Sequence, residues 1–296
     1  MGLDEVLQAG WADHGDAPQS VADQLAAAVH RVGTSEQAIP FARLLVHVYG
    51  EHLGQWQQGI ELLEKLVQHM AGSGSTDSAG ATLQQGIASL RYASGDDVAA
   101  ALRGLTTTQR VSALTVAASA LAAHGNTTRA IEAFTNALQS ANAGLPEGSP
   151  AIRSVAVAGN NLASTLEGKA DRLPNETQAM QLCAEAALKY WKLAGTWLEV
   201  ERAEYRLARS LLQAGRARDA VGAAQRCVDL CLGSGAPAFE LFFGYAVLGI
   251  AQRAADQADA ALHSRTAALV QWQAVPEADR SWCQNDLDEL KGPGAA

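Results

Sequence analysis

The chain has 296 residues, 48% hydrophobic, 18% charged and only 5% aromatic, with a formal charge of −9. That charge speaks against a general nucleic-acid binder, which needs a basic surface to displace phosphate counterions. The sequence shows neither a run of about 18 apolar residues to span a bilayer nor the basic–apolar–small order of a secretory signal, so a cytoplasmic protein without membrane association is expected.

Ala and Leu dominate and both favour helix, whereas the β-branched and aromatic runs that favour strands are scarce. In chain order, residues 1–34 read as a degenerate N-terminal helical hairpin, broken by "HGDAP" with Pro18 in a first turn. Residues 35–274 read as about six helical hairpins, 275–291 as a capping helix and 292–296 as a disordered tail. Tight turns are expected at Gly54, Gly95, Gly125, Ala170, Gly215 and Asp256. Helix starts are marked by Thr106-x-x-Gln109 and Thr196-x-x-Glu199, which fit the capping box. Ser149-Pro150 and Ala236-Pro237 place Pro at a first helical position.

The turns align a repeat. Five residues past each stand Gly59, Ala100, Ala130, Ala220 and Ala261; in repeat four a four-residue insertion moves the matching small residue to Ala179. Seven further on come Leu66, Ala137, Ala186, Cys227 and Ala268. Repeat two departs, because its second helix is too short to reach that position. Ahead of the turns stand Ala117-Ala118, Leu162-Ala163, Leu207-Ala208 and Leu248-Gly249. Small residues at these places let paired helices approach closely.

From about residue 36 to 270 this pattern resembles the tetratricopeptide repeat (TPR), in the long-helix variety of kinesin light chains and bacterial peptide-responsive regulators. "NNLASTLEG" (160–168) is especially similar to a first helix of that variety. The resemblance implies an all-α, right-handed superhelical solenoid of stacked helix-turn-helix hairpins, whose first helices line a concave wall. It also implies that Asn160 and Asn161 hold a peptide backbone.

Helical periodicity places Arg202, Tyr205, Arg206 and Arg209 on one stripe opposite Leu207, Ala208 and Leu211, with Arg253 in the next repeat. Gln85, Ser89 and Tyr92 occupy wall positions in repeat two, and Arg153 lies near the rim. Arginine's planar fork suits carboxylates, so the groove, centred on repeats four to six, is expected to take an acidic or C-terminal peptide. The same arginines also lie near Glu199, Glu201 and Glu204, and a mixed-charge, solvated helix face accounts for them equally simply.

Phe239–Gln252 is apolar nearly all round, which indicates a helix buried under the final helix; a homodimer interface or apolar ligand pocket near Phe242 is the other reading, with Trp272 and Trp282 in the same cluster. Four cysteines, 183, 227, 231 and 283, lack metal-ligand spacing and read as buried thiols. Among seven histidines, His47 and His52 are five apart and so poorly aligned on an α-helix, while His14, His69 and His124 fall near helix ends. Exposed or helix-terminal roles are therefore expected for them, with no metal. Gly72-Ser-Gly74 lacks the third glycine of a nucleotide fingerprint, since Asp77 holds its place, and Glu167-Gly-Lys169 lacks the rest of a phosphate loop.

The function expected is a protein- or peptide-binding scaffold without enzymatic activity or cofactor. Two other readings stand beside it: a peptide-responsive regulator that changes superhelix shape, and an enzyme with an unrecognised site in the groove.

Overall fold

Strong helix formers punctuated by capping residues and turn glycines yield helices at the expected places. The computed structural model describes residues 2–72, 77–96 and 98–292, all of them helix, turn or irregular connection. Gly72-Ser-Gly74 and the expected tail therefore lie largely outside the described residues. Two compact units divide the chain, Met1–Ala158 and Gly159–Ala296.

The N-terminal unit opens with α1 (Leu3–Asp13) and α2 (Pro18–Ala28), followed by a 3-10 turn at Val29–Arg31. Then come α3 (Ser35–His47), a π-helical turn (Val48–His52), α4 (Trp56–Gly72), α5 (Asp77–Ser94), the short α6 (Val98–Ala101), α7 (Thr107–Ala123) and α8 (Thr127–Asn142). The unit boundary falls within α9 (Pro150–Glu167). The C-terminal unit continues with α10 (Pro174–Ala194), α11 (Trp197–Gln213), α12 (Ala217–Ser234), α13 (Ala238–Ala254), α14 (Ala258–Ala274), a 3-10 turn at Glu277–Asp279 and α15 (Arg280–Lys291).

Successive helices pack as hairpins, most extensively α7 on α8, α11 on α12 and α13 on α14. Both predicted capping boxes form, at Thr106–Gln109 and Thr196–Glu199. Pro18 and Pro150 open α2 and α9, whereas Pro237 sits one place earlier than expected, at the N-cap of α13. Five of the six expected turns hold a left-handed residue: Gly54, Gly95, Gly125, Gly215 and Asp256. Asp256, at φ 60°, is the one non-glycine among the described residues to do so, a conformation that a short polar side chain tolerates.

The repeat's small residues carry the packing. Ala130, Ala137, Ala220, Cys227 and Ala268 are fully buried. A Cβ on Gly59 would stand 2.7 Å from Leu90 Cδ1 and 3.0 Å from Tyr49 Cβ, closer than the helices allow. Repeat two departs as expected: α6 has four residues, Ala100 is exposed, and α5 packs directly on α3, α4 and α7.

At the other end α13 is covered within its own unit by α11, α12, α14 and α15. Phe242 is 0% exposed, in a cluster with Ile250, Val275, Leu287 and Leu290, and Trp272 packs against it. Trp282 does not join them; it is 75% exposed.

Candidate functional site

The arginine stripe of α11 exists, and other helices occupy it. Arg202 Nη2 donates to Glu240 Oε1 on α13 at 2.6 Å, and Arg209 Nη1 to Glu289 Oε2 on α15 at 2.6 Å. Arg206 Nη1 donates to Glu167 Oε2 at the end of α9, whose other oxygen accepts from Ser210 Oγ at 2.6 Å. Tyr205 Oη donates to Asp286 Oδ1 at 2.7 Å. Arg253 caps the C-terminal end of α15 through the carbonyls of Leu290 (2.9 Å) and Glu289 (2.7 Å), a favourable place for a cation. Asn160 is half-buried and Asn161 exposed on α9.

The glutamates nearest in sequence have other duties. Glu199 closes its own helix cap at Thr196. Glu204, 1% exposed, takes a two-pronged contact from Arg226 at 2.9 and 2.8 Å and a further bond from Lys192 at 3.3 Å. Glu201 is equally buried; its Oε1 accepts from the Cys227 thiol at 2.9 Å, and its Oε2 has no protein partner. Burial foremost, helped by Glu240 and opposed by Cys227, Arg202 and Cys231, pushes the Glu201 carboxyl up to about 7. All four cysteines are buried and free. Burial raises the Cys183 thiol and pushes the Cys283 thiol up to about 11.

The N-terminal unit holds a cleft of about 570 Å³, inside the range of ligand pockets, about 300–1,000 Å³. Its walls are the first helices of successive repeats, α3, α5, α7 and the opening turns of α9. Gln85 and Ser89 line it, as the helical phase predicts, together with Arg153, which the phase put near the rim. Tyr92 does not: it is buried at 4% exposure beneath the wall. Arg43 adds a second cation, Val46 and Val157 supply apolar surface, and Glu51 is the one acidic side chain among the described lining residues.

At one end of this cleft three histidines converge. The chain adopts a π-turn after α3, seen in the i→i+5 bond from Leu53 N to Val48 O at 3.0 Å. On an α-helix, positions five apart point about 140° away from each other. The wider π-turn swings them together, and His47 Nε2 lies 3.2 Å from His52 Nε2. His14, at the end of α1, completes a triangle with ring centroids 4.8 to 5.0 Å apart. One ring nitrogen of each lies within 4.8 Å of the others.

Two acceptors orient these rings. His47 Nδ1 is 3.3 Å from Glu51 Oε1, and His14 Nδ1 is 2.8 Å from the Trp11 carbonyl. The Trp11 ring stacks on His47 with centroids 5.5 Å apart. Burial first, then the neighbouring His47 and His14, lowers the pKa of His52. His14, His69 and His124 lie at helix ends as expected, but the expected misalignment of His47 and His52 is corrected: the departure from α-helical geometry places them on one side, and α1 brings in His14.

Among the described residues no helix is long and apolar enough to cross a membrane. No protein-family model matches the chain, and no curated protein matches it. Among solved structures it is similar to BtubC (BKLC) from P. vanneervenii, with a TM-score of 0.51 and 15% identity over 93% of this chain and 92% of that one. A Podosopora anserina chain of kinesin-light-chain type with nearly identical TPR-like repeats gives 0.48 and 16% over 82% and 95%. With its adjacent helices packed in pairs around small residues at the repeat's crossings, the chain has an all-α, TPR-like helical-repeat fold.

Proposed function

We propose that the chain is a protein- or peptide-binding module, and that its N-terminal cleft takes an extended segment bearing an acidic side chain or a C-terminal carboxylate. The observation that carries this reading is the cleft itself, walled by the first helices of four successive repeats, with Arg43 and Arg153 among its described lining residues. Such preformed walls reduce the ordering cost of binding. The reading assigns the chain no reaction.

The test is to pan a peptide library with free C-termini against the full chain and measure the winners by fluorescence anisotropy across salt concentrations. Acidic winners that weaken with salt and lose affinity with Arg43→Glu or Arg153→Glu support the reading. A flat salt response, or equal binding by both variants, would count against it.

A second surface, Asn160 and Asn161 with Arg202, Tyr205, Arg206, Arg209 and Arg253, is favoured by the exposure of Asn161 and of Arg202, whose side chain is 58% accessible. A peptide carboxylate there would exchange with Glu240 or Glu289. Taking Arg209 from Glu289 would loosen α15, which gives the peptide-responsive regulator a physical form. Small-angle scattering with and without a bound peptide tests it, and an unchanged profile would sink it. Self-association at this end would have to use exposed Leu262, Val270 and Trp282, since Phe242 is covered.

A further inference from the structure

We propose that His14, His47 and His52 form a binding site for a divalent first-row transition-metal ion, Zn²⁺ foremost, with Glu51 orienting His47. The site goes beyond the peptide-binding reading and does not depend on it, although His47 and Glu51 also line the cleft.

The spacing suits the ion. Zinc–imidazole bonds of about 2.0–2.1 Å in a tetrahedron put ligand nitrogens about 3.3 Å apart. His47 Nε2 and His52 Nε2 already stand 3.2 Å apart. One ring nitrogen of His14 lies within 4.8 Å of both, so closing on an ion asks it to move by about 1.5 Å at most.

The outer contacts suit it as well. Metal-bound histidines hand their other ring N–H to a carboxylate or a backbone carbonyl, which fixes the tautomer. Here Glu51 Oε1 faces Nδ1 of His47, and the Trp11 carbonyl faces Nδ1 of His14. Donation from each Nδ1 leaves the Nε2 lone pair for an ion. Three imidazoles form a borderline-soft nitrogen set that favours Zn²⁺, Cu²⁺ or Ni²⁺ over Mg²⁺ or Ca²⁺. Three protein ligands leave a fourth position for water or a ligand oxygen.

The scaffold supports the cluster. The π-turn is fixed by Leu53 N to Val48 O, and the Tyr49 hydroxyl donates to Ala22 O of α2 at 3.2 Å. Two of the three ligands are thereby set in place before any ion arrives. π-turns of this kind recur at functional sites.

The experiment uses the full, tag-free chain after chelator treatment. Co²⁺ is titrated and followed by visible absorption, with Zn²⁺ as competitor. One equivalent should bind with the intense bands of a tetrahedral centre, and Zn²⁺ should displace it. His14→Ala, His47→Ala and His52→Ala should each weaken binding by at least about tenfold, and Glu51→Gln by about tenfold. His69→Ala should leave it unchanged. Circular dichroism of each metal-free variant reports folding. A measurement on the unaltered chain needs no variant: ¹H–¹⁵N correlation spectra of the histidine rings with Zn²⁺ should shift three of the seven rings. Absence of saturable one-equivalent binding at micromolar ion, undiminished binding by His52→Ala, or ring shifts outside the three residues would overturn the proposal.

Discussion

Tyr205 Oη donates to Asp286 Oδ1 at 2.7 Å across 81 positions of sequence, and so joins α11 to α15. Asp286 is 7% exposed; burial raises its pKa, while the Tyr205 hydroxyl and Arg209 hold it down. Tyr205→Phe removes the hydroxyl and leaves a buried carboxyl oxygen short of a donor. The expected loss is about 1–3 kcal/mol in urea unfolding. A stability unchanged within about 0.5 kcal/mol would mean that the carboxyl finds water instead.

Arg206 and Glu167 are largely shielded, with side-chain exposures of 22% and 11%, whereas Arg216 and Asp219 are 48% and 56% exposed. Arg206→Ala should therefore cost about 2–4 kcal/mol, because it strands a nearly buried carboxylate. Arg216→Ala should cost less than about 1 kcal/mol. Denaturant titration of the two variants side by side checks the contrast; equal losses would refute it. Binding experiments with Arg206 variants need this control, since such variants weaken the fold as well as the surface.

Glu201 makes stability pH-dependent with a definite sign. Its carboxyl ordinarily titrates near 4.5, and in the folded chain it is pushed up to about 7. A raised folded-state pKa means the native chain holds the proton more tightly. The stabilisation is fully present below 4.5 and is lost as pH rises through 7. The size is on the order of 3 kcal/mol. Cys227, Cys231, Glu240 and Arg202 are the groups that act on it. Glu201→Gln, uncharged throughout, should be more stable than the unaltered chain at pH 8 and lack this slope. Urea unfolding of both chains at pH 5 and pH 8 isolates the difference; parallel pH profiles would contradict it.

Gly54 combines two demands. Its φ is +63°, and a Cβ there would stand 2.9 Å from Cε1 of His124, whose Nε2 contacts the Gly50 carbonyl at 3.1 Å. Gly54→Ala should cost at least about 1–2 kcal/mol for the left-handed backbone alone, with a further loss from moving His124. Gly215, with φ +73° and open space around it, should show only the backbone part on substitution by Ala. Thermal melts of the two variants test the difference.

Much of this protein is written in short-range pattern. Helix propensity, the capping threonines at 106 and 196, and the left-handed turn positions act within a few residues, so they are readable without a fold. The small residues at the repeat's crossings, such as Gly59 and Ala130, follow from the same logic, because each hairpin repeats one packing problem. The helical phase also placed Gln85 and Ser89 on the cleft wall and Arg153 near its rim, though it did not reveal that Tyr92 turns inward.

What the sequence could not decide is which distant groups meet. The stripe at Arg202, Arg206 and Arg209 is legible from a 3.6-residue period, but its carboxylates lie 38, 39 and 80 residues away. Local charge pattern pointed instead to Glu199, Glu201 and Glu204, which packing directs to a cap and to two buried sites. The histidine cluster was hidden for a sharper reason. A single π-turn changes the angular register of the helix, and that change makes neighbours of His47 and His52. The sequence by itself determined the helices, their turns and their repetition, because those are local free-energy choices; the tertiary structure decided the ion pairs, the cleft and the histidine triangle, because each depends on segments that only packing brings within a few ångströms.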